Sequence, residues 1–280
     1  MTAPTTKYVG AGYRHGQIMV LGSDGYPIAA GTKTNVYEGL AIERGRELTI
    51  NFPEPRMIAH RGDDVIFALQ MLPPDTAVTG ALRTGIEDLA LEQALTGNKV
   101  VTVGEINLIN VATNLAGSEY QVAIIAQQPG QPAGKGAPDA GVAGWNQLIF
   151  PKAWLIPRTG GMSEANNPYE KNYTLSPTMS SKYPWGLAMT TNADGCLAAF
   201  FQKGNSQYPM WWANFKGDNS VTEFSFSANY QAVSTSKMAV YVNGTLQTSG
   251  ITKATDKITF TAAPANDANI AVVYEVASIP

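Results

Sequence analysis

Glu47-Leu48-Thr49-Ile50-Asn51-Phe52 puts Leu48, Ile50 and Phe52 on one face of an extended chain and Glu47, Thr49 and Asn51 on the other. A half-buried strand needs that period of two. The same alternation recurs. Tyr120, Val122 and Ile124 oppose Gln121, Ala123 and Ile125, and Phe224, Phe226 and Tyr230 oppose Glu223, Ser225 and Ser227. Near the end, Ile270, Val272, Tyr274 and Val276 oppose Asn269, Ala271 and Glu275. Upstream, residues 37–42 read as a further strand, and Arg44-Gly45-Arg46 predicts a hairpin joining it to 47–52. Residues 65–71 are more continuously apolar, as for a strand buried on both faces, with a hairpin turn between them and 57–60. The chain is mainly β.

One helix stands apart. Thr84 and Glu87 have capping-box spacing, Ile86, Leu89, Ala90, Ala94 and Leu95 follow at helical intervals, and Gly97 supplies a stop. This predicts a helix over 84–95. Two stretches read as connectors. Residues 129–144, beginning Pro129-Gly130-Gln131-Pro132 and containing Lys135 and Pro138, carry little side-chain mass and predict a long loop ordered by a neighbouring subunit. Residues 229–237 are rich in Ser, Thr and Ala and precede a self-contained pattern. There Asn243-Gly244 lies between alternating apolar residues, a strong hairpin signal. The expected division is therefore residues 1–229 and a small, separable β-module over 230–280.

Of 280 residues 15% are charged, against about 25% in ordinary soluble domains. Such a surface is either unusually uncharged or covered by neighbouring copies. The net charge of −3 and the lack of any basic run argue against a dedicated nucleic-acid binder. No apolar run approaches the ~18 residues of a membrane-spanning helix, and Met1 to Lys7 has no signal-peptide pattern, so a soluble cytoplasmic product is expected. Cys196, the single cysteine, has no internal disulfide partner.

Chemistry is hard to find. His15 and His60 sit in glycine- or arginine-containing stretches that read as turns, without a nucleophile and orienting partner beside them. No HExxH or CxxC occurs, so no metal site is expected. Gly10, Gly12 and Gly16 miss the dinucleotide spacing and lead into a strand rather than a helix. Gly134-Lys135-Gly136 lacks the P-loop pattern. Arg61-Gly62-Asp63 is read as turn sequence, not as an adhesion motif. The aromatic runs at Tyr183-Pro184-Trp185 and Tyr208-Pro209-Met210-Trp211-Trp212 are read as core or subunit contacts rather than stacking platforms. No catalytic residue, cofactor or metal is assigned, and an enzyme is not expected.

Met71-Leu72-Pro73-Pro74, Thr79-Gly80-Ala81-Leu82-Arg83 and the segment from Asp88-Leu89 to Gly97 resemble the helix-bearing centre of major tail proteins, the tail-tube subunits of long-tailed bacteriophages. Residues 153–158 and 173–177 are similar to strands of the same proteins, and 241–275 resembles small β-modules of phage tail and fibre proteins. The resemblance implies a β-sandwich or barrel-forming fold with one flanking helix. It also implies a homo-oligomer: six copies in a ring, rings stacked into a tube, and inner strands joined in a barrel that conducts DNA into the host. Its other partners would be tail proteins such as the terminator, tape measure and distal tail protein. The product would belong to the virion, assembled in the host cytoplasm, with no membrane partner and no sequence-specific contact to DNA.

Six copies of charge −3 give −18 per ring, and such a wall repels phosphates instead of holding them. Glu43 and Glu47, at the expected central hairpin, are the candidate lumen charges. Pro129, Gly130, Pro132, Lys135 and Pro138 are the candidate inter-subunit loop. The competing readings are a capsid-decoration or receptor-binding surface protein, with the terminal module as its contact domain, and a carbohydrate-active enzyme.

Overall fold

The structure is a computed structural model and describes residues 8–10, 15–28, 36–42, 45–51, 56–62, 65–72, 78–84, 91–93, 100–104, 106–109, 121–132, 144–157, 171–178, 180, 199–204 and 208–277. The strands are β1 (Tyr8–Gly10), β2 (His15–Val20), β3 (Leu40–Ala41), β4 (Gly45–Asn51), β5 (Arg56–Gly62), β6 (Val65–Leu72) and β7 (Thr79–Thr84). Next come β8 (Val100–Val103), β9 (Ile106–Ile109), β10 (Val122–Pro132), β11 (Gly144–Pro157), β12 (Lys171–Pro177) and β13 (Ala199–Gly204). The last seven are β14 (Met210–Lys216), β15 (Glu223–Ser225), β16 (Ala239–Val242), β17 (Thr245–Leu246), β18 (Ile251–Lys253), β19 (Lys257–Phe260) and β20 (Asn269–Glu275).

Nine strands form one antiparallel sheet in the order β3-β2-β10-β11-β12-β7-β4, with β1 added to β10 and β13 to β11. Its two ends, β3 and β4, are consecutive in the chain. Ala41 and Gly45 are four residues apart, and a chain that short spans at most ~14 Å. The sheet therefore curls until its edges approach, but β3 and β4 do not pair with each other. Inside the curl lies one core. It joins Ile18, Leu82, Val122, Ile124, Phe150, Leu155, Tyr173 and Leu175, with Leu48 and Ile50 of β4 packed against it.

The expected hairpin between 37–42 and 47–52 is thus corrected. Leu48 and Ile50 do turn inward, but β4 pairs with β7 and β3 with β2. Alternation gives a strand its buried face; it does not name its partner. Of the expected helix, residues 91–93 are helical and Leu91 is buried in the curled sheet's core. The expected start at Thr84 is corrected, since Thr84 is the last residue of β7, and residues 85–90, 94 and 95 lie outside the described residues.

The expected loop at 129–144 is corrected at 129–132 and at 144, which are strand, and residues 133–143 lie outside the described residues. Pro129, Gly130 and Pro132 are the last part of β10, with Pro129 opposite Trp145, Gly130 opposite Gly144 and Pro132 opposite Tyr8. A segment with few side chains remains a good strand when a neighbour on each side takes up its backbone groups, as β1 and β11 do here. Lys135 and Pro138 lie outside the described residues.

The last seven strands, β14 to β20, form a sandwich. One sheet runs β14-β20-β16-β17 and the other β15-β19-β18. The first-to-last order from β15 to β20 is that of strands B, C, C′, D, E and F in an immunoglobulin-type sandwich, with β14 beside F where strand G normally lies. Trp211, Phe215, Phe224, Phe226, Ile258, Phe260, Val272 and Tyr274 fill the space between the sheets. Asn243 and Gly244 have φ of 48° and 80°, the type I′ turn that the sequence predicts. The unit begins near residue 208, not 230, because β14 and β15 are integral to its two sheets.

The sandwich rests on the outer face of the curled sheet. Met19, Leu21, Ala123, Ile125 and Ile149 from β2, β10, β11 and the adjoining turn meet Trp212, Tyr241, Ala271 and Val273. The sheet holding β14 and β20 is therefore buried on both faces. That is why Ala271 and Glu275, expected on a solvent face, are buried at 2% and 1% exposure.

Candidate assembly surface

Two hairpins stand outside the main sheets. Among the described residues β5 and β6 pair only with each other, as do β8 and β9. The β5–β6 hairpin is inserted between β4 and β7, which are themselves paired through Asn51 and Thr79. It therefore leaves the curled sheet at its β4 edge, beside the unpaired seam. Its register sets Met57 opposite Met71 and Ala59 opposite Leu69, alternating with Arg56–Leu72, Ile58–Gln70 and His60–Ala68. Pairs on alternate positions share a face of a two-stranded ribbon. By sequence both residues of the pairs 57–71 and 59–69 are apolar, whereas each of the alternating pairs joins a polar residue to an apolar one. Met57 is 64% exposed, and Val101 on β8 is 45% exposed. A hairpin with such composition is at best marginally stable by itself in water.

The outer face of the curled sheet beyond the sandwich continues this character. Trp154 and Ile156 of β11 lie opposite Ser176 and Thr174 of β12, and Thr174 lies opposite Ala81 of β7. Ile156 is exposed. The ion pair of this face is Arg83 Nη1 to Glu47 Oε2 at 3.1 Å, between adjacent strands and half-exposed. Glu47 is therefore ion-paired on β4, and Glu43 lies outside the described residues.

His15 is corrected from a turn to strand β2, where its ring lies 5.6 Å from that of Trp145. His60 is on β5. Cys196, Tyr183 and Trp185 lie outside the described residues. Trp211 and Trp212 are core residues on opposite faces of β14, as the sequence predicts. Among the described residues there is no group of three or more His, Cys, Asp or Glu placed to hold a metal ion.

The polar side chains that matter most were not singled out by motif. Glu38 is buried, and its carboxylate accepts from Ser227 Oγ at 2.6 Å, Ser227 N at 3.4 Å and Tyr274 Oη at 3.3 Å. Burial raises its pKa, and the bonds from Ser227 and Tyr274 oppose that rise. Burial also raises the pKa of Tyr274, and the neighbouring Glu38 charge adds to it. Gln17 and Gln127 are buried on β2 and β10 and bond to the backbone of β14. Their signal in the sequence is a polar residue among otherwise apolar neighbours, in Gln17-Ile18-Met19 and Ile124-Ile125-Ala126-Gln127.

No protein-family model matches this chain, and no curated protein matches it.

Proposed function

We propose that the chain is a structural, non-enzymatic subunit that self-assembles into stacked rings, a tail-tube protein of a long-tailed bacteriophage. The observation that carries this reading is the β5–β6 hairpin, which among the described residues pairs only with itself, is inserted at the β4 edge of a curled sheet and exposes Met57. Adding strands from a neighbouring copy would use the free edges that such a sheet otherwise leaves to water. The low charge content and the exposed Met57, Val101 and Ile156 suit a surface that copies cover. In this reading the rings conduct DNA without holding it, and the sandwich decorates the tube.

Asn51 and Thr79 are already paired, so a two-residue Asn-Gly turn can replace 52–78 without moving β4 or β7. The full chain is expected to form rings or tubes of constant diameter in negative-stain images. The shortened chain is expected to stay a folded monomer. Tubes from the shortened chain would remove the hairpin from assembly, and a parent that stays monomeric at high concentration would end the tube reading. A decoration or receptor-binding role is favoured by one feature, the polar outer face of the three-stranded sheet around Glu223, Ser225 and Thr252. Trimers or monomers that bind particles or cells would support it.

A further inference from the structure

β14 and β20 are the first and last strands of the sandwich, and they lie side by side with Lys216 opposite Asn269. In an antiparallel pair, residues that bond across to the partner strand alternate with residues whose backbone groups point away from it. Asn214 exchanges both backbone bonds with Tyr37, at 2.9 Å each. Two residues on, Lys216 and Asn269 are therefore a non-hydrogen-bonded pair, the kind whose side chains stand closest together. They touch: Lys216 Nζ is in contact with the side-chain amide oxygen of Asn269. The carbonyl carbon is one bond beyond that oxygen, so the amine lies within about 3.5 Å of it, a near-attack distance.

A carboxylate completes the group. Asp24 Oδ2, from the turn after β2, is 3.1 Å from the same Nζ. The Lys216 side chain is 21% exposed, and its Nζ lies 5.9 Å from the centre of the Tyr26 ring. Asn269 is fixed at its backbone by Asn243: its N–H donates to Asn243 Oδ1 at 2.9 Å, and its carbonyl accepts from Asn243 N at 2.8 Å. An amine, a carboxamide and a carboxylate are thus held together by three separate pieces of backbone.

We propose that Lys216 and Asn269 join in a self-formed isopeptide bond, with Asp24 as the proton carrier. Asp24 takes one proton from the Lys216 ammonium, and the free amine adds to Asn269 Cγ. As the Cγ–Nδ2 bond breaks, the attacking nitrogen passes a second proton to the leaving nitrogen, and Asp24 returns the first. The products are an amide and one ammonium ion, so the step needs no oxidant and no co-reactant. Asp24 is half-exposed, which gives the ammonium ion a way out to water. The bond ties the edge strand β14 to β20 across 53 positions of chain. It is independent of what the whole chain assembles into.

The test is the intact mass of the purified full chain, denatured after incubation, followed by tryptic mapping. The parent is expected to weigh one ammonia less than its sequence and to yield a branched peptide joining residues 216 and 269. Lys216→Arg and Asn269→Ala are expected to lack that peptide. Asp24→Ala is expected to link roughly a hundredfold more slowly or worse, the share of a general base. Ring closure at Asn243-Gly244 also releases ammonia, so the branched peptide decides. Its absence from the parent would overturn the proposal. Linking of Asp24→Ala at the parent's rate would overturn the role given to that carboxylate.

Discussion

At Glu38 two effects oppose each other. Burial penalises the ionised carboxyl and is the larger, while bonds from Ser227 and Tyr274 favour it, so the folded-state pKa lies above 4.5. A carboxyl whose pKa is raised on folding binds its proton more tightly in the folded state. Its linkage contribution favours folding below the unfolded value and is lost as pH rises through the folded value. Glu38→Gln keeps a carbonyl acceptor and removes the charge. It should gain stability relative to the parent as pH climbs out of the acid range, read as the difference in urea midpoint between the two. A difference that is flat with pH would show that Glu38 does not titrate differently on folding. Glu38→Ala removes the acceptor for Ser227 and should cost ~1–3 kcal/mol near neutral pH. Gly39, next in the chain, has φ of +66°, and a Cβ there would fall on the carbonyl of Ile18. Gly39→Ala is expected to lose about 2 kcal/mol or more, visible as a lower midpoint at constant slope. Parent-like stability would mean that the backbone at 39 relaxes freely.

Between elements, the pairing of β14 with β20 and of β15 with β19 decides what can be cut away. Ending the chain at residue 229 would leave β14 and β15 without their partners and strip the cover from Trp211, Trp212 and Phe224, all within 1% of full burial. That truncation should be insoluble, which soluble expression and size-exclusion chromatography would show. A soluble monomer with unchanged β content would mean that the curled sheet tolerates a bare β14. The sequence alone suggested the opposite, because the Ser/Thr-rich stretch after 229 looks like a linker. What was readable there was local: the alternation of β15 and β20, and the turn at Asn243-Gly244. What was not readable was the partner. β14 finds β20 more than fifty residues on, and β3 and β4, neighbours in the chain, end on opposite edges of one sheet. The candidate site divides in the same way. The apolar run at 65–71 and its hairpin with 57–60 were legible, since a hairpin is a local contact. Glu47 was legible as an exposed strand residue, but its partner Arg83 comes from β7, 36 residues away. Gln17 and Gln127 were invisible as caps, since the edge they cover exists only after folding.

For the whole molecule, the question is whether a curled sheet and a sandwich behave as two bodies or one. Their contact contains seven large buried side chains, Met19, Leu21, Ile125, Ile149, Trp212, Tyr241 and Val273. Burying a side chain of this kind contributes about 1.5–3 kcal/mol, so even partial exposure on separation forfeits on the order of 10 kcal/mol. That equals the whole stability of an ordinary domain, about 5–15 kcal/mol. The contact is not only apolar. Tyr37 bridges to Asn214, Glu38 reaches Ser227 and Tyr274, and Lys216 pairs with Asp24 at 3.1 Å from the other side. Neither part could unfold and leave the other intact with such a surface uncovered. The chain, at concentrations where it is monomeric, should therefore melt in one calorimetric transition whose van't Hoff and calorimetric enthalpies agree. Leu21→Ala with Val273→Ala thins the contact while leaving the inner cores of the curl and the sandwich untouched, and should split the melt into two. Two separate transitions already in the parent would mean that the sandwich and the curled sheet are independent bodies, and that the area between them stabilises neither.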